Sequence, residues 1–195
     1  MKNGSHLLIP VFAVERTQEL ITDFLALQAA DEIPSVPIFL DSPLAIRVTK
    51  VFQKHAGDLE DLSAGPQLLN SPMIHPTETV DESKRIGKIT GPAIIMAASG
   101  MCEAGPIRHH LKQWLWQHQA TVLFVGYQAV GTLGRILSEG ARNVKIHGEE
   151  ISVRARIRTI DAYSGHADGT ELADWITERQ PIRQKLFLHM AKNPR

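Results

Sequence analysis

The chain has 195 residues, 43% of them hydrophobic and 22% charged, with a formal net charge of zero and nine histidines. That is enough apolar material for one ordinary core, and the charge balance excludes a global cationic field drawing the molecule onto nucleic acid or an anionic membrane, so any polyanion site must be local. The single cysteine, Cys102, excludes an internal disulfide. Together with an N-terminus lacking a secretory core and no apolar run near the roughly 20 residues that span a bilayer, it sets the expectation of a cytoplasmic protein with no membrane partner.

In chain order the pattern alternates strand and helix. Residues 6 to 13, HLLIPVFA, read as a buried strand, and Glu15 to Ala30 as a helix with Leu20, Phe24 and Leu27 near helical spacing. Val36 to Leu40 read as a second strand. Asp41-Ser42-Pro43 then form a polar elbow in which Ser42 caps and Pro43 opens a helix striped by Leu44, Val48, Val51 and Phe52. From His55 to Gly91 the pattern lapses into Gly- and Pro-bearing chain, a surface excursion or lid with one short helical candidate at Val80 to Ile86.

The most informative stretch runs from Pro92 to Tyr127. Ala93 to Ala98 is an unbroken apolar run, as expected of a strand covered on both faces. It turns through Ser99-Gly100-Met101 into a helix opened by Pro106, with Ile107, Leu111, Trp114 and Leu115 on one face, and a second buried strand follows at Thr121 to Val125. A strand–helix–strand unit of this kind is parallel and right-handed, so Ser99-Gly100 and Gly126-Tyr127 come to one edge of the sheet, where open α/β sheets bind ligands.

Beyond Tyr127 come a short helix, Thr132 to Glu139, and an expected hairpin of Val144 to His147 with Ile151 to Ile160 about Gly148-Glu149. Arg154, Arg156 and Arg158 alternate and should share a face. With Arg135, Arg142 and Lys145 they give six cations against three acids over residues 135–158. Two readings stand: the solvated side of a half-exposed strand, or a track for phosphates. Asp168 and Glu171 form a capping-box pair opening a helix over 169–179, and Lys185 to Leu188 read as a last strand ending at His189. His166, in an elbow before a helix, and His189, at a strand end, each taken alone suit a structural role more readily than a functional one.

Metal chemistry has little support in the spacing. The one close histidine pair, His109-His110, is adjacent on a helix and so diverges; no H-x-H-x-D-H or H-E-x-x-H occurs, and no Walker, G-x-G-x-x-G or G-x-S-x-G loop.

Taken together, Leu8 to Ala13 with Glu15 to Leu20, Phe39-Leu40-Asp41-Ser42-Pro43-Leu44-Ala45, Ala98-Ser99-Gly100-Met101, Val125-Gly126-Tyr127-Gln128, Gly131-Thr132-Leu133-Gly134 and Tyr163-Ser164-Gly165-His166-Ala167-Asp168 closely resemble the β-CASP branch of the metallo-β-lactamase superfamily, which includes ribonuclease J and the cleavage and polyadenylation endonuclease. The likeness runs from about Leu7 to Leu188 and implies a fold: a parallel-sheet, three-layer α/β cap over residues 1–145, then a truncated segment, 146–195, returning to a metallo-β-lactamase domain. In that family RNA is cut in the cleft between cap and lactamase domain.

The resemblance makes His166 the catalytic residue, donating a proton to the departing oxygen or steadying the scissile phosphate. Ser164 and Gly165 would hold phosphate, while Asp41, Ser42, Ser99, Gly100, Arg154, Arg156 and Arg158 would shape or contact the RNA groove. It places a zinc ligand at His189, although Met190-Ala191 follow where the family has glycine and glutamate. One choice of codons for residues 189–194, read two bases on, spells the family's ending, so a shifted frame is the expected explanation. Two zinc ions are implied for the intact parent and none for this stretch alone, which should be inactive by itself. RNA and the missing lactamase half are the implied partners, and oligomerisation is compatible. The alternatives are a non-catalytic RNA-binding or protein-docking module and a DNA-processing member of the family.

Overall fold

Eight short strands and six α-helices alternate along the residues that the computed structural model describes: 5–58, 69–160, Tyr163 and 167–179. In order they are β1 (His6–Pro10), α1 (Arg16–Ala29), β2 (Ile38–Asp41), α2 (Pro43–Lys54), β3 (Ile74–Pro76), α3 (Val80–Ile86), β4 (Ala93–Ala97), α4 (Ile107–Trp114), β5 (Thr121–Phe124), α5 (Leu133–Ser138), β6 (Asn143–Ile146), β7 (Glu149–Ser152), β8 (Arg156–Thr159) and α6 (Gly169–Thr177). Two compact units divide the chain, Met1–Tyr163 and Ser164–Arg195.

The first unit is built on a six-stranded sheet of order β3-β2-β4-β1-β5-β8, parallel at every pairing. All five residues of β4 are buried, which is why that run shows no alternation in the sequence. Its side chains nevertheless divide by the two-residue period. Ile94 and Met96 join Ile9, Ile38, Leu40 and Val125 beneath α1 and α2, which contribute Leu20, Ile21, Ala45 and Ile46. Ile95 and Ala97 join Leu8, Val122 and Phe124 on the other face, under Ile86 of α3, Ile107, Leu111 and Trp114 of α4, and Leu137 of α5. Two helices, sheet, three helices: the three-layer α/β arrangement expected from the sequence is the one found.

Helix boundaries follow local chemistry. Ser42, with Pro43 next, accepts the Ala45 amide at the start of α2; Thr79 and Glu82 close a capping box on α3, as Asp168 and Glu171 do on α6. Pro106 stands just before the first residue of α4 rather than inside it. A short strand that the sequence did not announce, β3, adds an edge beside β2.

The region after α5 departs from expectation. β6 and β7 do form an antiparallel hairpin, but its turn is His147-Gly148, both left-handed at φ 50° and 84°, a conformation that favours glycine at the second position. The expected strand Ile151–Ile160 is two strands, because at Arg154 and Ala155 both backbone amides turn aside to donate to the carbonyl of Leu115. The chain then resumes as β8, parallel to β5. Arg156 and Arg158 share one face of β8, whereas Arg154 lies in the connector; all three are exposed. The expected strand at 185–188 lies outside the described residues.

Candidate functional site

Because the strands are parallel, the segments leaving β1, β2, β4 and β5 emerge along one edge, as the strand–helix–strand reading predicts. β2 hands over to α2 on one face and its neighbour β4 to α4 on the other. Adjacent exits to opposite faces leave a crevice, the usual ligand position of an open α/β sheet. A cleft of about 540 Å³ occupies it, lined by Asp41 at the end of β2 and Pro43 at the start of α2, Thr77 to Val80 and Ser83 beyond β3, Glu103 to Pro106, Arg108 and His109 after β4, and His147 from the hairpin turn.

Asp41 forms the polar floor of this cleft. Alternation along β2 sends Ile38 and Leu40 toward α1 and α2, and Phe39 and Asp41 the other way, so the carboxylate meets α3 and α4. Asp41 is 2% exposed and its partner His110 is 3% exposed. One oxygen, Oδ2, lies 2.7 Å from His110 Nε2 and accepts the Ser83 hydroxyl at 2.6 Å. Buried polar groups persist when they are paired in this way. His110 belongs to the apolar stripe of α4, stacked on Trp114 with ring centroids 5.5 Å apart. His109, one residue earlier, turns instead toward the cleft and lies 4.6 Å, ring to ring, from His147. Burial, then the neighbouring His147, His110 and Lys112, lower the pKa of His109 against a smaller opposing pull from Asp41.

The β4 elbow turns through two left-handed positions, Cys102 at φ 63° and Gly105 at φ 78°. A β-carbon on Gly105 would come within 2.5 Å of the Ala98 carbonyl oxygen. The buried Gln128 amide fastens this elbow to the one after β5, donating to the carbonyls of Gly100 at 3.0 Å and Gly126 at 3.2 Å, while Glu103 accepts the Leu133 amide at 2.6 Å. Burial raises the Cys102 thiol pKa to about 12, which removes it as a nucleophile at neutral pH.

Of the residues singled out in the sequence, Asp41, Ser42, Ser99 and Gly100 come to this edge. Ser42, 2% exposed, spends its hydroxyl oxygen on the Ala45 amide, and Ser99 Oγ accepts the Ala104 amide. Gly100 is buried against the Phe12 ring. Arg154, Arg156 and Arg158 belong to β8 and its approach. Ser164, Gly165, His166 and His189 lie outside the described residues. Tyr163, immediately before them, donates its hydroxyl to Asp23 of α1 and carries Arg16 over its ring at 5.5 Å. Ser83, Arg108, His109 and His147 were not picked out as cleft residues; the doublet His109-His110 was the available signal.

Among the described residues no group of three or more His, Cys, Asp or Glu is placed to hold a metal ion. The residues described thus do not make a zinc centre by themselves.

Comparison with known proteins gives this geometry a context. The family model described as "Beta-Casp domain" matches residues 17–137, and that described as "Zn-dependent metallo-hydrolase RNA specificity domain" matches residues 150–188. The chain is 35% identical over 181 residues to "Ribonuclease TTHA0252" of Thermus thermophilus, covering 90% of this chain and 42% of that protein. It is 33% identical over 200 residues to "Transcription termination factor FttA" of Pyrococcus abyssi, covering 96% and 30%, and 31% identical over 194 residues to an "RNase J-like protein" of Methanocaldococcus jannaschii, covering 97% and 44%. The chain spans less than half the length of these relatives. With a β-CASP match over most of its length and the motif-bearing elbows gathered at one sheet edge, the chain belongs to the β-CASP family of the metallo-β-lactamase superfamily.

Proposed function

We propose that this chain is the RNA-binding cap of a zinc-dependent β-CASP ribonuclease acting in the cytoplasm, in which it meets a lactamase domain carrying the zinc ligands. The observation that carries the reading is the tandem order of the two matched modules, a β-CASP domain followed by an RNA specificity domain of zinc-dependent metallo-hydrolases, in one chain. Relatives named as ribonuclease and as RNase J-like support RNA as the substrate. Zinc, when bound in the intact protein, would supply a Lewis acid and an activated water.

His166 would protonate the oxygen leaving the phosphodiester, a task suited to an imidazole whose ordinary pKa lies near the working pH. Ser164 and Gly165 would offer a hydroxyl and an amide to the phosphate, beside the start of α6. Asp41, Ser42, Ser99 and Gly100 would shape the groove, and Arg154, Arg156 and Arg158 would attract the backbone. The test is His166→Ala in the full-length protein. Turnover on RNA should fall at least about a hundredfold, as for loss of a general acid, while zinc content stays near normal. Undiminished turnover would remove His166 from the chemistry.

A further inference from the structure

A second groove lies between α3 and α4, about 560 Å³ in volume. It shares Val80, Ser83 and His109 with the cleft at the sheet edge, so the two are continuous in their walls. Their charge differs. The first cleft carries Asp41, Glu78 and Glu103 against Arg108, whereas the second is walled by Lys84, Lys112, His109, His110, glutamines and Trp116, with no carboxylate. Trp116 is 53% exposed, although Trp114, two residues earlier, is 2% exposed. An isolated exposed tryptophan is ordinary; one in the wall of a groove that also carries two lysines offers a nucleobase a face and its phosphates a counter-charge.

The lysines are available. Lys84 stands 3.6 Å from Asp81 with both side chains more than 70% exposed, and Lys112, its side chain 34% exposed, pairs with Glu149, which is 61% exposed. Exposed pairs of this kind contribute little and are readily exchanged for a phosphate. His109 to Trp116 spans seven residues, about 10 Å along the axis of α4 and its last turn.

We propose that the α3–α4 groove is a second track for single-stranded RNA, leading away from the sheet edge, in which a base stacks on Trp116 and backbone phosphates lie against Lys84 and Lys112. This rests on the reading of the chain as an RNA-binding cap. It goes beyond that reading by placing a contact on the outer helical layer instead of at the strand ends. The partner is single-stranded because a base must leave its own stack to lie on the indole.

The experiment is a fluorescence-anisotropy titration of this chain with a labelled single-stranded RNA of about 12 nucleotides across a range of salt. Trp116→Ala should weaken binding about tenfold, and Trp116→Phe, which keeps an aromatic face, should recover most of that loss. Lys84→Ala with Lys112→Ala should lower the slope of log affinity against log salt by about 1.4, or about 0.7 for each phosphate contact. Circular dichroism of each variant checks that the fold is unchanged, as expected for the exposed Lys84 and Trp116 and the half-buried Lys112. Variants that bind within twofold of the unaltered chain, with the slope unchanged, would overturn the track. If binding is instead lost in Arg154→Ala/Arg156→Ala/Arg158→Ala, the cap reading survives without it. An unaltered chain showing no salt-sensitive RNA binding would remove both.

Discussion

Replacing Asp41 by alanine should cost more stability than any surface substitution in the first unit, and the amount follows from two hydrogen bonds. The carboxylate accepts from Ser83 at 2.6 Å and faces His110 Nε2 at 2.7 Å, with both His110 and Asp41 almost wholly out of water. Ser83 lines the cleft and regains water when its acceptor goes, so its loss is on the order of 1 kcal/mol. His110, on α4 itself, 3% exposed and stacked on Trp114, regains water less readily, and a buried donor left without an acceptor costs on the order of 2 kcal/mol. The sum is about 3 kcal/mol, which at a urea slope of about 2 kcal/mol/M moves the unfolding midpoint down by about 1.5 M. Far-ultraviolet circular dichroism during urea titration reads it. His110→Ala should also destabilise, and the double variant should be less harmful than the two single losses added, with a coupling of about 2 kcal/mol. A midpoint for Asp41→Ala within about 0.25 M of the unaltered chain, equivalent to about 0.5 kcal/mol at that slope, or additive losses in the cycle, would refute the assignment of this pair as a mutual anchor.

Other expectations are narrower. Gly134→Ala would set a β-carbon 1.8 Å from Gln128 Oε1, so it should cost about 1–3 kcal/mol as overpacking does; combining it with Gln128→Ala should return part of that loss in the same urea titration. Equal stability of Gly134→Ala and the unaltered chain would contradict the described position of Gln128. Cys102, buried and with its pKa raised to about 12, should resist thiol reagents at pH 8 until the chain is unfolded, and fast labelling of the folded chain would count against it. Because the unfolded thiol ionises first, the contribution of the buried thiol to stability is complete below about pH 9 and declines from there toward about pH 12.

Much of the fold was legible because parallel strands and their helices carry strong local signals. The bounds of α3 coincide with the short helical candidate at Val80 to Ile86, and the structure adds the capping box of Thr79 and Glu82 that starts it. β4 announced itself as a continuous apolar run. β3 escaped because three residues, two of them exposed, leave no period to detect. The break between β7 and β8 escaped for a different reason. Ile151, Val153 and Ile157 keep strand-like alternation, while the interruption is caused by the Leu115 carbonyl, a distant group that captures two amides at once. At the site, the elbows were found from their small polar residues, but the fate of each side chain was not. Asp41 reads as an exposed loop residue until the pleat of β2 turns it inward. His110 reads as a core residue, which it is, yet its neighbour Asp41 could be identified only by packing.

Strand β8, at the edge of the six-stranded sheet, has a practical bearing on how such chains are divided. β8 lies inside the span matched by the RNA specificity module, 150–188, but its hydrogen bonds belong to the sheet of the preceding one, where Thr121 to Phe124 pair with Arg156 to Thr159. A cut at the apparent seam near residue 150 would therefore strip the border from β5 and bare a row of backbone donors and acceptors, the kind of raw margin that recruits other chains. Scissors guided by ladder bonds would fall after Ile160 instead, leaving that border sewn on and its two arginines in place as a guard.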